Sequence, residues 1–509
     1  MSVILAHDLG TTGNKATLFD TQTSTTIDST FQAYDTAYPY PNWAEQDPAD
    51  WQRALIGCTH RLLDETNLAP SRIAAVSFSG HMQGALIVDR EGAPLRTAII
   101  WADQRATEQT ARIAQTCGKV EVYRRTGCQV SPSYTAAKLM WIRDCQPDLY
   151  RRAFKVLQPK DYAVYLLTGV WATDYSDASG TQLFDLAARH WATDLIAALD
   201  LDPGLFPDAH PSTQVIGTVT PQAAVQTGLR AGTPVVIGGG DGACATVGAG
   251  AVQPGDAYNY IGSSAWIAVT TKRPLIDPQQ RTFTFCHLDP ALYFSVGTTQ
   301  AAGGSYGWLE RLFHTGDSEP DYQELDTLAA QNLPGAGGLI FLPHLLGERS
   351  PYWNPLARGA FVGLTMPHER GALARAVLEG VAFNMCLTLD TLRENGVEIA
   401  QMRLIGGGAR SALWRQILAD VYGLPILLPH LTAEATALGA ALAGGVGVGI
   451  YPDFSVAKQI IPARLAEQPI AAHHSCYQVL YGLYQDAYRA LEPIFARLST
   501  LDQAQVSEQ

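Results

Sequence analysis

The sequence predicts an α/β protein built from two halves of related design. Strand-like runs alternate with amphipathic helical runs along almost the whole chain, the pattern of α/β layers. A hairpin with a small, hydroxyl-bearing turn opens the chain, and a similar one returns near its middle.

In the first hairpin, residues 3–9 and 16–20 flank Gly10-Thr11-Thr12-Gly13; in the second, residues 256–261 and 266–270 flank Gly262-Ser263-Ser264-Ala265. Further strands are expected at 73–77, 85–88 and 233–237, and helices at 51–65, 136–144 and 183–199. The second half adds helices near 306–313, 372–395, 411–422, 433–444 and 477–499. A run of glycine, alanine and proline at 248–255 interrupts this alternation, which divides the chain into residues 1–247 and 248–509.

With 509 residues the chain is long enough for two cores. Its net charge of −13 excludes general affinity for nucleic acid or an anionic membrane. It does not exclude a phosphorylated ligand, because backbone N–H groups bind phosphate inside acidic proteins. The eight cysteines form no C-x-x-C pair and read as buried thiols of a reducing compartment. No basic segment precedes Val3-Ile4-Leu5-Ala6, unlike a signal peptide, and the apolar stretch 437–451 is too short to span a bilayer. The expectation is a cytoplasmic soluble enzyme or binding protein.

Three glycine turns carry most of the candidate chemistry. In Asp8-Leu9-Gly10-Thr11-Thr12-Gly13-Asn14-Lys15, small residues let N–H groups and hydroxyls point into one concavity suited to phosphate. Asp8 at the strand end suits Mg²⁺, and Lys15 adds positive charge. The Walker A spacing is absent, and a hairpin turn that binds nothing is the plain alternative. In Gly238-Gly239-Gly240-Asp241-Gly242-Ala243, the glycines are expected to bring the chain close to a ligand, with Asp241 projecting at a strand end. The same residues match a dinucleotide fingerprint, but the acid expected further on is replaced by the second hairpin turn. In Gly406-Gly407-Gly408-Ala409-Arg410-Ser411, glycines precede a helix and permit close backbone approach to a planar or phosphate-bearing ligand; tight packing is the alternative. Gly303-Gly304-Ser305-Tyr306-Gly307 fits a hydrolase nucleophile elbow, yet no strand ends immediately before the serine.

The order of these turns, with Trp43–Pro48, Ile100–Arg105, Lys138–Trp141, Pro159–Tyr162, Leu342–Pro351 and Arg358–Leu364 between them, resembles the FGGY carbohydrate kinases, xylulokinases in particular. The resemblance implies two actin-like (ribonuclease H-like) domains with a ligand cleft between them, ATP and Mg²⁺, and a small-molecule sugar as partner. It leaves a homodimer open. It assigns Asp241 as the catalytic base and Asp8 to the metal. Thr11, Thr12, Gly13, Lys15, Gly262, Ser263, Gly407, Gly408 and Ala409 are assigned to ATP. Met82, Gln83, Trp101, Asp103, Asp241 and Gly242 are assigned to the sugar. The implied reaction phosphorylates a primary hydroxyl of a ketopentose such as D-xylulose, another ketose or a polyol being the alternative.

Two departures touch the sugar positions. Xylulokinases usually read Gly-Gln-Met-His-Gly where this chain has Gly80-His81-Met82-Gln83-Gly84, and Asn where it has Gly242. A site built to hydrogen-bond a hydroxyl discriminates strongly, so these changes bear on which sugar is used. His81 is expected to be a satisfied, partly buried histidine and Met82 to pack in the core as readily as touch sugar. Outside the family, an NAD-dependent oxidoreductase or a non-catalytic binder of the same fold are the competing classes.

Overall fold

In the computed structural model, which describes residues 2–313, 321–430 and 434–506, the opening hairpin organises the first of two large sheets. β1 (Val3–Leu9) runs antiparallel to β2 (Gly13–Asp20), and β2 antiparallel to β3 (Thr25–Ala33). α1 (Pro48–Thr66), capped by the Asp47 carboxylate, crosses back so that β4 (Ile73–Gly80) lies parallel to β1. α2 (Thr135–Cys145) and α3 (Pro159–Thr168) follow, and β5 (Val215–Thr218) and β6 (Pro234–Val236) complete the order β5-β6-β4-β1-β2-β3. β1 is apolar and nearly all buried because helices cover both faces of the sheet.

α4 (Asp241–Gly248) then leads to the second sheet. Its strands are β7 (Ala257–Ile261), β8 (Ala265–Thr271), β9 (Phe283–Cys286), β10 (Tyr293–Thr299), β11 (Met402–Ile405), β12 (Ile426–Pro429) and β13 (Ala463–Glu467). They lie in the order β9-β10-β8-β7-β11-β12-β13. Apart from β9, the two sheets share one plan. Three antiparallel strands are followed by two parallel strands and an antiparallel edge strand.

The second half also holds α5 (Gly303–Phe313), α6 (Tyr322–Ala330), α7 (Arg370–Glu394), α8 (Ala412–Tyr422), α9 (Ala435–Gly447) and α10 (Ala471–Val506). α7 is long and apolar enough to cross a membrane by length and composition, but 89% of that window is buried in the protein. It is the core helix of the second sheet. α9 lies between β12 and β13 in sequence yet packs on the first sheet, its Gly444 against Ile4 and Ser77. α4 and α9 meet where Gly439 faces the Cys244 carbonyl and Gly248 faces the Ala435 carbonyl. A Cβ there would lie 2.0 Å and 1.8 Å from those oxygens, so glycine permits the crossing. A hydrophobic core holding Ile4, Ala75, Val247, Tyr258, Phe294 and Leu442 joins the two halves at this crossing.

One expected element is wrong. Residues 183–199 do not form a helix. Phe184–Asp185 pairs antiparallel with His190–Trp191, and only Thr193–Ala198 is helical. Asp185 accepts the Ala188 N–H at 3.0 Å, and Arg189 takes φ 53°, which ends any helix there. The apolar residues that mimic a helical face are drawn into tertiary contacts, with Phe184 edge-on to Trp191. The helix expected from Ala433 begins at Ala435; Ala433 lies outside the described residues.

Candidate functional site

Each sheet ends in a glycine turn whose carbonyls are tied to the protein. In the first turn, Tyr34 donates its hydroxyl to the Gly10 carbonyl (2.6 Å) and its N–H to that of Thr12 (3.2 Å). The Gln46 amide donates to the Thr11 carbonyl at 2.7 Å. In a trans peptide the next N–H points opposite to the carbonyl. The N–H groups of Thr11, Thr12 and Gly13 therefore face away from these partners, as an anion-binding nest requires. A Cβ on Gly13 would lie 2.4 Å from the Phe31 ring, so this position admits no side chain.

The second turn uses the same device. The first residues of α5 take its carbonyls, Gly303 N–H donating to Gly262 and Gly304 N–H to Ser263, both at 2.9 Å. The N–H groups of Ser263 and Ser264 are turned to the other side.

A cavity of about 790 Å³ opens beside this second turn. Gly262, Ser263, Gly407 and Gly408 line it, while the Ala409 side chain is buried and Arg410 and Ser411 line the wall instead. Gly406 (φ 89°) and Gly408 pass so close to Ile261 that a Cβ would lie 2.5 Å and 2.6 Å from its atoms. Gly407 has open space before it. Ser411 then caps α8 by accepting the Trp414 N–H. The far wall is aromatic. Tyr306 lies 6.0 Å from Trp414 and 6.1 Å from Tyr322, and its hydroxyl donates to Asp326 at 2.8 Å. The size and the mixture of aromatic faces with a few polar groups fit a small ligand with a planar part. Tyr306, Tyr322, Asp326 and Trp414 were not legible as site residues; the one hint was Tyr306 within the Gly303–Gly307 run.

The carboxylates stand at the ends of the first sheet. Asp8, second from the end of β1, lies opposite Lys15. Its Oδ2 accepts the Thr436 hydroxyl at 2.5 Å, and its buried Oδ1 has no hydrogen-bond partner. Burial raises its pKa, opposed by the Thr436 hydroxyl and by Lys15. Asp241 is the first residue of α4 and keeps part of its surface open. Removal from water, reinforced by the negative charge of Asp8 and opposed by the Gly242 N–H, pushes its pKa up to about 7. Lys15 is less free than expected, since it pairs with Glu434 at 3.3 Å. Among the described residues, no group of three or more His, Cys, Asp or Glu is placed to hold a metal by itself. A Mg²⁺ ion held by one carboxylate and substrate phosphates needs no such group, and the unpartnered Asp8 oxygen fits it.

The glycines before Asp241 approach the protein rather than a ligand. A Cβ on Gly238 (φ 69°) would lie 1.9 Å from the Phe78 carbonyl. On Gly239 it would strike Leu288 at 2.3 Å, and on Gly240 Met82 at 2.5 Å. The dinucleotide reading fails here, because the strands flanking this turn lie in different sheets. The hydrolase reading fails as well. Ser305 is buried within α5 and donates to the Ala301 carbonyl at 3.0 Å.

Trp101 donates its indole N–H to the Thr11 hydroxyl at 2.9 Å, tying the sugar-side segment to the first turn. Met82 is buried against Gly240 and Gly180. Gln83 takes φ 68°, its carbonyl held by the buried Lys138 ammonium at 2.8 Å. Asp103 is wholly buried and saturated by the Ala44 N–H and the Arg105 guanidinium, so it shapes the wall from behind. His81 is more buried than expected and satisfied at one nitrogen only. Its Nε2 lies 3.1 Å from the Gln46 side-chain Oε1, its Nδ1 has no partner, and burial lowers its pKa to about 3. Gln46 thereby links His81 to the Thr11 carbonyl.

The first sheet thus carries a glycine turn and two carboxylates, and the second a glycine turn beside a cavity. Residues 3–248 match the N-terminal domain, and residues 257–448 the C-terminal domain, of the FGGY family of carbohydrate kinases. The chain belongs to this family. It is thus a sugar kinase with two domains of the actin-like ATPase fold, and ATP is its phosphoryl donor. The kinase is 33% identical to a xylulose kinase of Escherichia coli K12 over 491 residues, covering 96% of this chain and 99% of that one. It is 30% identical to a gluconokinase of Bacillus subtilis 168 over 508 residues, covering 98% of each. Among solved structures, a xylulose kinase from Rhodospirillum rubrum superposes with a TM-score of 0.91 at 31% identity, covering 97% of this kinase and all of that chain.

At Gly242 a Cβ would lie 3.3 Å from the Phe294 ring, so a side chain at this position would be crowded by an aromatic ring of the second sheet.

Proposed function

We propose that the kinase transfers the γ-phosphoryl group of ATP to a primary hydroxyl of a ketopentose, D-xylulose giving D-xylulose 5-phosphate. Residues 1–247 hold the sugar and the base, and residues 248–509 the nucleotide. The observation that carries this reading is Asp241, a carboxylate with pKa about 7 at the open end of the first sheet beside Asp8. A base poised near the operating pH is the most effective one. The sugar oxygen attacks the γ-phosphorus, its proton passes to Asp241, and the bond to the ADP oxygen breaks. The two turns contribute N–H donors around the phosphates, so most of the work is positioning and charge stabilisation. Asp8 would hold Mg²⁺, which when bound neutralises phosphate charge. The xylulose kinase relatives support the ketopentose, and the eight free cysteines, as in a reducing compartment, support a cytoplasmic site for the reaction.

A second reading has its own observation. Gluconokinases stand among the relatives at 30% identity over nearly the whole chain. A sugar acid such as D-gluconate, another ketose or a polyol is then the acceptor. ADP release measured across D-xylulose, other ketoses, pentitols, glycerol and D-gluconate decides between them. The proposal expects the highest kcat/KM for D-xylulose; a clear preference for D-gluconate contradicts it.

A further inference from the structure

The turn that presents Asp241 is anchored to a buried ionic hub absent from the sequence-level site. Lys160 on α3 is wholly buried, with its ammonium 2.6 Å from Asp161, 2.9 Å from Asp174 and 3.0 Å from Asp177. Asp174 extends this hub toward the turn before Asp241. Its Oδ2 accepts the Ser176 N–H (2.9 Å), the Ser176 hydroxyl (2.6 Å) and the Ser212 hydroxyl (2.7 Å). The Ser176 hydroxyl has one proton, committed to Asp174, so its lone pair is left to accept the Gly240 N–H at 2.9 Å. The Ser212 carbonyl accepts the Gly238 N–H at 3.0 Å. Gly239 and Gly240 also pair with Ser79 and Gly80 of β4, and Gly80 abuts Lys160, where a Cβ would lie 3.1 Å from the lysine Cβ. Asp241 follows Gly240 directly.

We infer that Ser176, oriented by Asp174 on the Lys160 hub, is a positioning residue that sets the direction of the Asp241 carboxylate through the Gly240 N–H. The inference rests on Asp241 being the base. A fully buried cation among carboxylates is a costly way to gain stability and a good way to hold one geometry. Glycines 238–240 have no side chains of their own to fix the turn, so backbone bonds to the hub define where α4 starts. Ser176 touches the backbone immediately before the base, whereas the Ser212 hydroxyl touches only Asp174.

That difference makes the test. Lys160 variants would strand buried acids and are unsuitable, so Ser176→Ala, Ser212→Ala and Asp241→Asn are compared in the full chain for kcat, both KM values and Tm. Ser176→Ala should lower kcat by roughly ten- to a hundredfold, as small misplacements of a reacting group do, with both KM values and Tm near wild type. Ser212→Ala, which also removes one hydrogen bond from Asp174, should keep kcat. If Ser176→Ala is too unstable to assay, Ser176→Cys, which keeps a weak acceptor, should give an intermediate kcat. Unchanged kcat in the Ser176 variants, or an equal loss in Ser212→Ala, overturns the positioning role provided Asp241→Asn is inactive. Activity retained by Asp241→Asn instead overturns the assignment of the base itself.

Discussion

The two hairpin turns are one device used twice, and what differs is the strand that leads into each. Tyr34 and Gln46 take the carbonyls of the first turn, and the start of α5 takes those of the second, so both present N–H groups outward. One pair before the first turn stand Asp8 and Lys15; at the corresponding place before the second stand Tyr260 and Trp266, stacked with centroids 4.0 Å apart. A phosphate cradle tolerates duplication, because N–H donors suit any anion. A carboxylate does not, since a second acid pair beside the nucleotide would repel its phosphates. The repeated fold thus turns N–H groups outward at both hairpins and places carboxylates beside only the first.

The comparison is broken most severely by removing the acid. Asp241→Asn should reduce kcat by about 10²–10⁴-fold, the usual worth of a general base, with nucleotide affinity unchanged. Weaker ATP binding of similar size in a titration would place Asp241 on the nucleotide side instead. Filling the second side should do the opposite. Gly407 faces open space in the cavity, so Gly407→Phe should raise the KM for ATP by about tenfold or more and leave sugar affinity alone. Trp101→Phe removes one hydrogen bond to Thr11, and a loss of about 1 kcal/mol, roughly fivefold in kcat/KM, is expected. Smallest is Glu434→Gln. The Lys15–Glu434 pair is about a quarter exposed on each side, with side-chain exposures of 28% and 22%, and a change below about 1 kcal/mol in unfolding free energy is expected. A larger loss would make that pair a clasp between the halves rather than a rim contact.

Much of this was legible in the sequence. Alternating apolar residues around small turns gave both hairpins, because a strand covered on its faces leaves a pattern in its own residues. The misread segment 183–199 shows the opposite case: Phe184 and Trp191 have helical spacing, but a turn at Arg189 and contacts from elsewhere decide their conformation. Glycines 238–240 were readable as a close approach, though not as an approach to Phe78, Ser176 and Met82, residues distant in sequence. The aromatic wall of the cavity draws on Tyr306, Tyr322 and Trp414 from three helices, which no local pattern joins. Asp241 was singled out in the sequence through the family's motif order. Its raised pKa comes from burial and from Asp8 across the sheet, which only the folded chain brings together.

The pH dependence of sugar phosphorylation tests the base most directly. As the proposed base, Asp241 would act when deprotonated, and its pKa is raised to about 7, so protonation on the acid side should remove activity. With the sugar subsaturating, kcat/KM should be level above this pH and fall about tenfold per unit below it, the slope of a single proton. Since Asp8 helps to raise that pKa, the limb should move to lower pH in Asp8→Asn, measured on whatever activity remains. A wild-type profile that stays flat down to pH values near the ordinary carboxylate range would contradict Asp241 as a buried base poised near neutrality.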